Sequence, residues 1–165
     1  MKIGIIGDTH DHLPLVRRVV DALSRDRVDL VLHTGDYIAP FVIPLLGKIP
    51  ARVVGVFGNN DGDHELLVAR ALEQKHVEIH GLFSELLVDG ERLALLHGHD
   101  RTLLAECLRG GRYDVVVHGH THQHAVVLNG STLQINPGEV CGYLTGRPTY
   151  SLYQTGEREA RIIPL

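Results

Sequence analysis

Five short apolar runs each end on Asp, Asn or His beside a glycine, and this pattern constrains the fold more than any other feature of the chain. IGIIGD ends on Asp8 and leads to His10. DLVLHTGD ends on Asp36, RVVGVFGNND leads to Asn59, LALLHGHD leads to His97, and DVVVHGHTH leads to His120 and His122. The runs are rich in Val, Ile and Leu without polar alternation, as expected of parallel strands covered on both faces. In open α/β sheets ligands bind beyond the carboxyl ends of the strands. Strands lying side by side would therefore bring all of these polar groups to one edge, where glycine lets the backbone turn sharply and approach a bound group closely.

The segments between the runs fit that reading. Leu13–Ser24 has helical apolar spacing after the turn Asp11-His12, with Pro14 tolerated in the first turn. Pro40–Lys48 has room for only a short helix, and Asp63 is placed to cap a helix reaching about Gln74. Beyond residue 76 the pattern changes to hairpins. Asp89-Gly90, Asn129-Gly130 and Thr155-Gly156 each separate two strand-like runs, and Asp-Gly and Asn-Gly favour type I′ turns with positive φ at both central residues. Thr102–Arg109 reads as a helix and Asp114–His118 as a buried strand. Early βαβ units followed by hairpins predict mixed sheets with helices packed outside, in one domain spanning residues 1–165.

Composition narrows the function classes. With 44% hydrophobic and 22% charged residues the chain is of ordinary globular type, and 165 residues suffice for a sizeable core without disulfide or metal staples. A net charge of −4 and the lack of a basic run argue against general nucleic-acid binding. No secretion signal or membrane-length apolar stretch is visible, and Cys107 and Cys141 form no C-x-x-C pair, so a cytoplasmic location with reduced thiols is expected. Of the 12 histidines, six fall within 28 positions, His97 to His124.

The set at the strand ends comprises two aspartates, one asparagine and four histidines. Oxygen and imidazole donors without thiolate suit Mn²⁺, Fe²⁺, Ni²⁺, Co²⁺ or Zn²⁺. Seven side chains exceed what one ion takes from protein, so two ions sharing a carboxylate are expected. Two divalent ions, two aspartates and a bridging hydroxide leave a net charge of about +1, suited to an anionic phosphoester.

The order D-x-H, G-D, G-N-N-D, H, G-H-T-H resembles the calcineurin-like metallophosphoesterases, and within them the small YfcE-like phosphodiesterases. The resemblance implies a four-layer αββα sandwich of two mixed β-sheets with outer helices. It implies one metal on Asp8, His10, Asp36 and His122, and a second on Asp36, Asn59, His97 and His120, with manganese the first expectation. It also implies in-line attack on phosphorus by a hydroxide bridging the two ions. Two departures stand out. The family motif G-N-H-D or G-N-H-E has a histidine where this chain has Asn60, which cannot deliver a proton. The family's N-P-G-S element is Asn136-Pro137-Gly138-Glu139, expected to form a supporting turn. Asn60 and His99 are expected to contact non-bridging phosphate oxygens.

Blander roles are expected elsewhere. His33, His64, His76 and His80 are read as structural or surface residues, His118 as a core or supporting group, and His124 as solvated. His12 stands beside the site. Asp61 is expected to orient the Asn59-Asn60 loop. Cys107 is read as a buried hydrophobe and Cys141 as exposed in its loop, while Tyr37 and Phe41 are assigned to core packing. The functions in play are a phosphodiesterase acting on a small phosphoester, a phosphomonoesterase or nucleotide pyrophosphohydrolase on the same centre, and a protein-binding scaffold of this fold like the retromer subunit. A homo-oligomer is compatible with the hairpin edges.

Overall fold

The computed structural model describes all 165 residues. The order is β1 (Lys2–Ile6), α1 (Leu13–Asp26), β2 (Leu30–His33), α2 (Ile43–Leu46), β3 (Arg52–Gly55), α3 (His64–Leu72), β4 (Val77–Ile79), β5 (Phe83–Val88), β6 (Glu91–Leu96), α4 (Arg101–Arg109), β7 (Val115–Val117), β8 (Ala125–Asn129), β9 (Thr132–Asn136), β10 (Thr149–Gln154) and β11 (Glu159–Pro164). One sheet has the order β11-β10-β1-β2-β3-β4 and the other β5-β6-β7-β9-β8. Both are mixed. β1 to β4 are parallel, β10 pairs antiparallel with β1 and β11 antiparallel with β10, and β6, β7 and β9 are parallel between antiparallel edges.

The period of two along each strand explains the layers. Ile3 and Ile5 of β1, with Leu32 and Val54, face Leu93, Leu95, Val115 and Val117 of the second sheet in a core between the sheets. The alternate residues Ile6, Val31 and Val53 turn to the other face and pack against Val16, Val19 and Leu23 of α1 and Leu67 of α3. Ala94, Leu96 and Val116 likewise pack on Cys107 of α4. These strands are apolar on both faces because each separates two cores. Burying one such Val, Leu or Ile side chain contributes about 1.5–3 kcal/mol.

Helix starts follow local chemistry. Asp63 accepts from the Leu66 N–H at 2.9 Å, and Asp100 accepts from Thr102 and Leu103 N–H at 3.0 Å each. His12 caps α1, its Nδ1 accepting from Leu15 N–H at 3.3 Å. The Asp89-Gly90 turn has positive φ at both residues, 49° and 83°. The next hairpin departs from expectation. Asn129 pairs with Thr132 at the end of β8, so the turn is Gly130-Ser131, and Gly130 at φ 59° supplies the left-handed position. The third hairpin has a longer loop, residues 155–158, and β10 adds antiparallel to β1. Strand β4 was not anticipated: three residues, VEI, are too few to show a period.

Candidate metal centre

The carboxyl ends of β1, β2 and β3 from one sheet and of β6 and β7 from the other open on the same edge, and the loops leaving them are hydrogen-bonded together. Asp8 N–H donates to Gly35 O at 3.0 Å, His10 N–H to Asp36 O at 3.0 Å, and Gly119 N–H to His97 O at 2.9 Å. Asp8, His10, Asp36, His120 and His122 all have left-handed backbone, with φ between 41° and 68°. For residues with a Cβ this conformation costs on the order of 1–2 kcal/mol each, and such strain gathers at functional sites. Two glycines permit the close approach. A Cβ on Gly58 would overlap Asp36 Oδ1, and one on Gly119 would lie 2.7 Å from Asp8 Oδ2.

At the centre, Asp36 Oδ2 lies 3.3 Å from His10 Nε2 and 3.4 Å from His97 Nε2. Asp8 Oδ1 lies 3.4 Å from His122 Nε2, and Asn59 Oδ1 lies 3.0 Å from His97 Nε2. The donors of Asp8, His10, Asp36 and His122 all fall within 4.8 Å of one another. Two donors about 2.1 Å from one ion, at tetrahedral to octahedral angles, stand roughly 3.0–3.4 Å apart, so these separations suit a shared cation. Asp8 Oδ1 and His10 Nε2 are buried with no hydrogen-bond partner, which a cation would supply. On the other side, the His120 ring lies 5.0 Å from that of His97.

Surrounding groups orient the donors. His97 Nδ1 donates to Thr34 O at 2.9 Å and His122 Nδ1 to Glu139 Oε2 at 2.6 Å, which turns each Nε2 toward the centre. Asn60 donates to Asp36 through its backbone at 2.9 Å and its side-chain amide at 2.8 Å. Asp61 accepts from Asp36 N–H at 3.0 Å, Gly58 N–H at 2.7 Å and Ile38 N–H at 2.8 Å. The loops after β2 and β3 are thereby tied through one carboxylate.

The electrostatics follow. Burial pushes the Asp8 carboxyl up to about 6, against the pull of His97 and His122. Burial alone would also raise Asp36, but the neighbouring imidazoles of His10 and His97 and the Asn60 amide hold it well below the usual carboxylate range. Asp36 in turn raises His10. For His97, Asp36 and Asp8 outweigh the opposing effect of burial and raise it. Burial lowers His120. A divalent ion bound there would require each imidazole to present an unprotonated nitrogen and each carboxyl to be ionised.

The remaining expected residues fall as follows. Asn59 and Asn60 lie at the exposed mouth with His99, whose ring is 5.5 Å from His97 and 6.2 Å from His120. His33 is fully buried, stacked on Tyr37 at 3.9 Å, and His64 stacks on Phe57 at 3.8 Å. His118 is buried against Gln134, whose amide lies 2.8 Å from its Nε2. Two expectations are corrected. Cys141 is buried rather than exposed, because its backbone N–H bonds to Asp8 O and its thiol to Glu139 Oε2 at 3.1 Å. Phe41 is 67% exposed instead of packed in the core, since α2 turns inward through Val42, Ile43 and Leu46. The Asn136–Glu139 segment does form a turn, with Asn136 Oδ1 accepting from Gly138 N–H at 2.9 Å. The contact of Glu139 with His122 was missed, and its signal was the charged residue in place of the family's serine. Also unanticipated is Tyr143, 62% exposed, with its ring 5.4 Å from His12 and 6.5 Å from His10.

Two mixed sheets between helices, with Asp, Asn and His from five strand ends converging on one edge, define a metallophosphoesterase fold with a cluster fit for divalent metal. Residues 1–158 match the calcineurin-like phosphoesterase superfamily domain, and the chain belongs to that superfamily of dinuclear metal-dependent phosphoesterases. It is 38% identical over 165 residues to phosphodiesterase MJ0936 of Methanocaldococcus jannaschii, covering 100% of this chain and 99% of that protein. It is 26% identical to the phosphodiesterase YfcE of Escherichia coli K12, covering 90% of this chain and 84% of the relative. Among solved structures, an archaeal phosphodiesterase superposes with a TM-score of 0.94 at 38% identity, each chain covered in full. Vps29 of Entamoeba histolytica, complexed with zinc, shares the fold with a TM-score of 0.73 at 22% identity, covering 100% and 98%. No helix is long and apolar enough to cross a membrane.

Proposed function

We propose that the chain hydrolyses phosphodiester bonds at a centre of two divalent ions, one on Asp8, His10, Asp36 and His122, the other on Asp36, Asn59, His97 and His120. The observation that carries this reading is Asp36 Oδ2, flanked at 3.3 and 3.4 Å by imidazoles belonging to the two halves. Two ions bound there would supply positive charge for the developing phosphorane and a water acidic enough to serve as hydroxide near neutral pH. Manganese is the first choice, with Ni²⁺, Co²⁺, Fe²⁺ and Zn²⁺ also suited to the donors.

The chain's own residues do the rest. Asp8 and Asp36 set the charge, and the four imidazoles remain neutral donors once their protons are displaced. One N–H of the Asn60 amide is taken by Asp36. The other is free for a non-bridging phosphate oxygen, as is the exposed His99 ring. No arginine or lysine donates to the seven residues, which favours a monoanionic diester over a dianionic monoester. The whole-length relative carries the name phosphodiesterase, which supports the same preference. A small phosphoester in the cytoplasm suits two buried, unpaired thiols. Edge strand β8, with Val126, Val127 and Leu128 exposed, supports association of copies.

The test is hydrolysis of bis-para-nitrophenyl phosphate and of the corresponding monoester by metal-stripped protein, with single metals added back and His120→Ala as control. Diester turnover restored by a transition metal and lost in the variant is expected. A faster monoester reaction would transfer the assignment to a phosphomonoesterase. Two bound ions with no turnover of either would favour a binding role.

A further inference from the structure

Glu139 has no exposed surface, yet it lies on no strand end and outside the seven residues assigned to the ions. Its carboxylate receives only donors. Oε2 accepts from His122 Nδ1 at 2.6 Å, from the Cys141 thiol at 3.1 Å and from Leu144 N–H at 3.2 Å. Oε1 accepts from Thr145 N–H at 2.6 Å, Thr145 Oγ1 at 2.7 Å and Leu144 N–H at 3.1 Å. Donors placed in this way let a buried carboxylate stay ionised. The arrangement leaves His122 one tautomer, with the proton on Nδ1 and the lone pair of Nε2 facing Asp8.

The other histidines of the centre lack this support. His97 has a neutral partner, the Thr34 carbonyl. The side chains of His10 and His120 make no hydrogen bond at Nδ1. A carboxylate behind an imidazole makes the ring more basic and holds its plane, and losing it commonly costs 10–100-fold in metal affinity. The half of the centre containing His122 is also the half whose four donors already lie within 4.8 Å of one another.

We propose that Glu139 is a positioning residue for His122, and that its carboxylate makes the Asp8–His10–Asp36–His122 half the tighter of the two metal sites, the one that fills first. The same carboxylate anchors residues 144 and 145, so the segment carrying Tyr143 beside His10 and His12 is fastened to the ligand it overlooks. The inference rests on the two-metal reading above.

Stepwise Zn²⁺ titration by competition with a chromophoric chelator tests it, comparing wild type with Glu139→Gln and Thr145→Val. Glu139→Gln should weaken the tighter step about 10–100-fold and the weaker step by less than about threefold. Thr145→Val, which loosens the loop without touching His122, should leave the tighter step within about twofold of wild type. Equal losses in the two variants would show that Glu139 acts only as a loop anchor and overturn the proposal, as would unchanged affinities in Glu139→Gln. A second readout needs no variant: in the zinc-loaded wild type, histidine ¹⁵N NMR should show His122 protonated at Nδ1, with that proton slow to exchange. A bare Nδ1 would overturn the proposal. A wild type that binds no zinc would refute the two-metal reading, and the inference with it.

Discussion

Asp61→Ala is the most informative perturbation of the protein framework around the site. Asp61 is 8% exposed and binds three backbone N–H groups, those of Asp36, Gly58 and Ile38. The first two are buried and the third is partly open to solvent, which can replace the lost acceptor there. A hydrogen bond to a charged group contributes about 1.5–3 kcal/mol, and a buried donor left unpaired costs about 1–3 kcal/mol. Counting mainly the two buried donors, the substitution should destabilise the metal-free protein by roughly 3–4 kcal/mol. In a domain of this size each kcal/mol moves Tm by about 2–4 °C, so a fall of roughly 6–16 °C is expected in scanning calorimetry. Both metal sites should weaken as well, since the backbone of Asp36 and the glycine packed on its carboxylate are released together. A Tm within about 2 °C of wild type would refute the idea that this carboxylate ties the two loops.

Three further outcomes are expected. His33 is held at about 3 by burial, against 6.5 in an open chain. The unfolded state therefore takes up the proton first, and stability is lost as pH falls from about 6.5 toward 3, at roughly 1.4 kcal/mol per pH unit. His33→Asn, which keeps an acceptor for the Gly35 N–H, should flatten that slope in urea titrations, and an unchanged slope would contradict the assignment. At His120, with φ 68°, glycine relieves left-handed strain that alanine retains. His120→Gly should accordingly be more stable than His120→Ala by about 1 kcal/mol, both being inactive, and equal melting temperatures would deny the strain. Because Asn60 cannot protonate a leaving group, a para-nitrophenyl diester should be cleaved far faster than a dialkyl diester. Equal rates with chemistry limiting would show that another residue supplies the proton.

The sequence was most informative where one side chain must satisfy a rigid local demand. Runs apolar on both faces announced strands between two cores, and the Asp or His closing each run announced the edge where they meet. Asp63 was legible as a cap because a cap depends on its own next three residues. What failed was set by distant chain. Strand β4 exists because β3 offers it an edge, not because VEI has a period. Cys141 is buried because its own backbone N–H is fastened to Asp8 O, more than 130 residues away in sequence. Glu139 could be noticed as a departure from a motif, but its partner His122 is 17 residues earlier and is brought to it only by the folded loop. The left-handed backbone of five of the seven donor residues was likewise invisible, since none is a glycine.

The central claim is that Asp36 joins two ions into one centre. Titrating metal-free protein with Mn²⁺ and recording electron paramagnetic resonance tests it directly. The account predicts two Mn²⁺ per chain and an exchange-coupled signal, with the coupling lost in Asp36→Asn. One ion per chain, or two ions giving only isolated-Mn²⁺ spectra in the wild type, would contradict it.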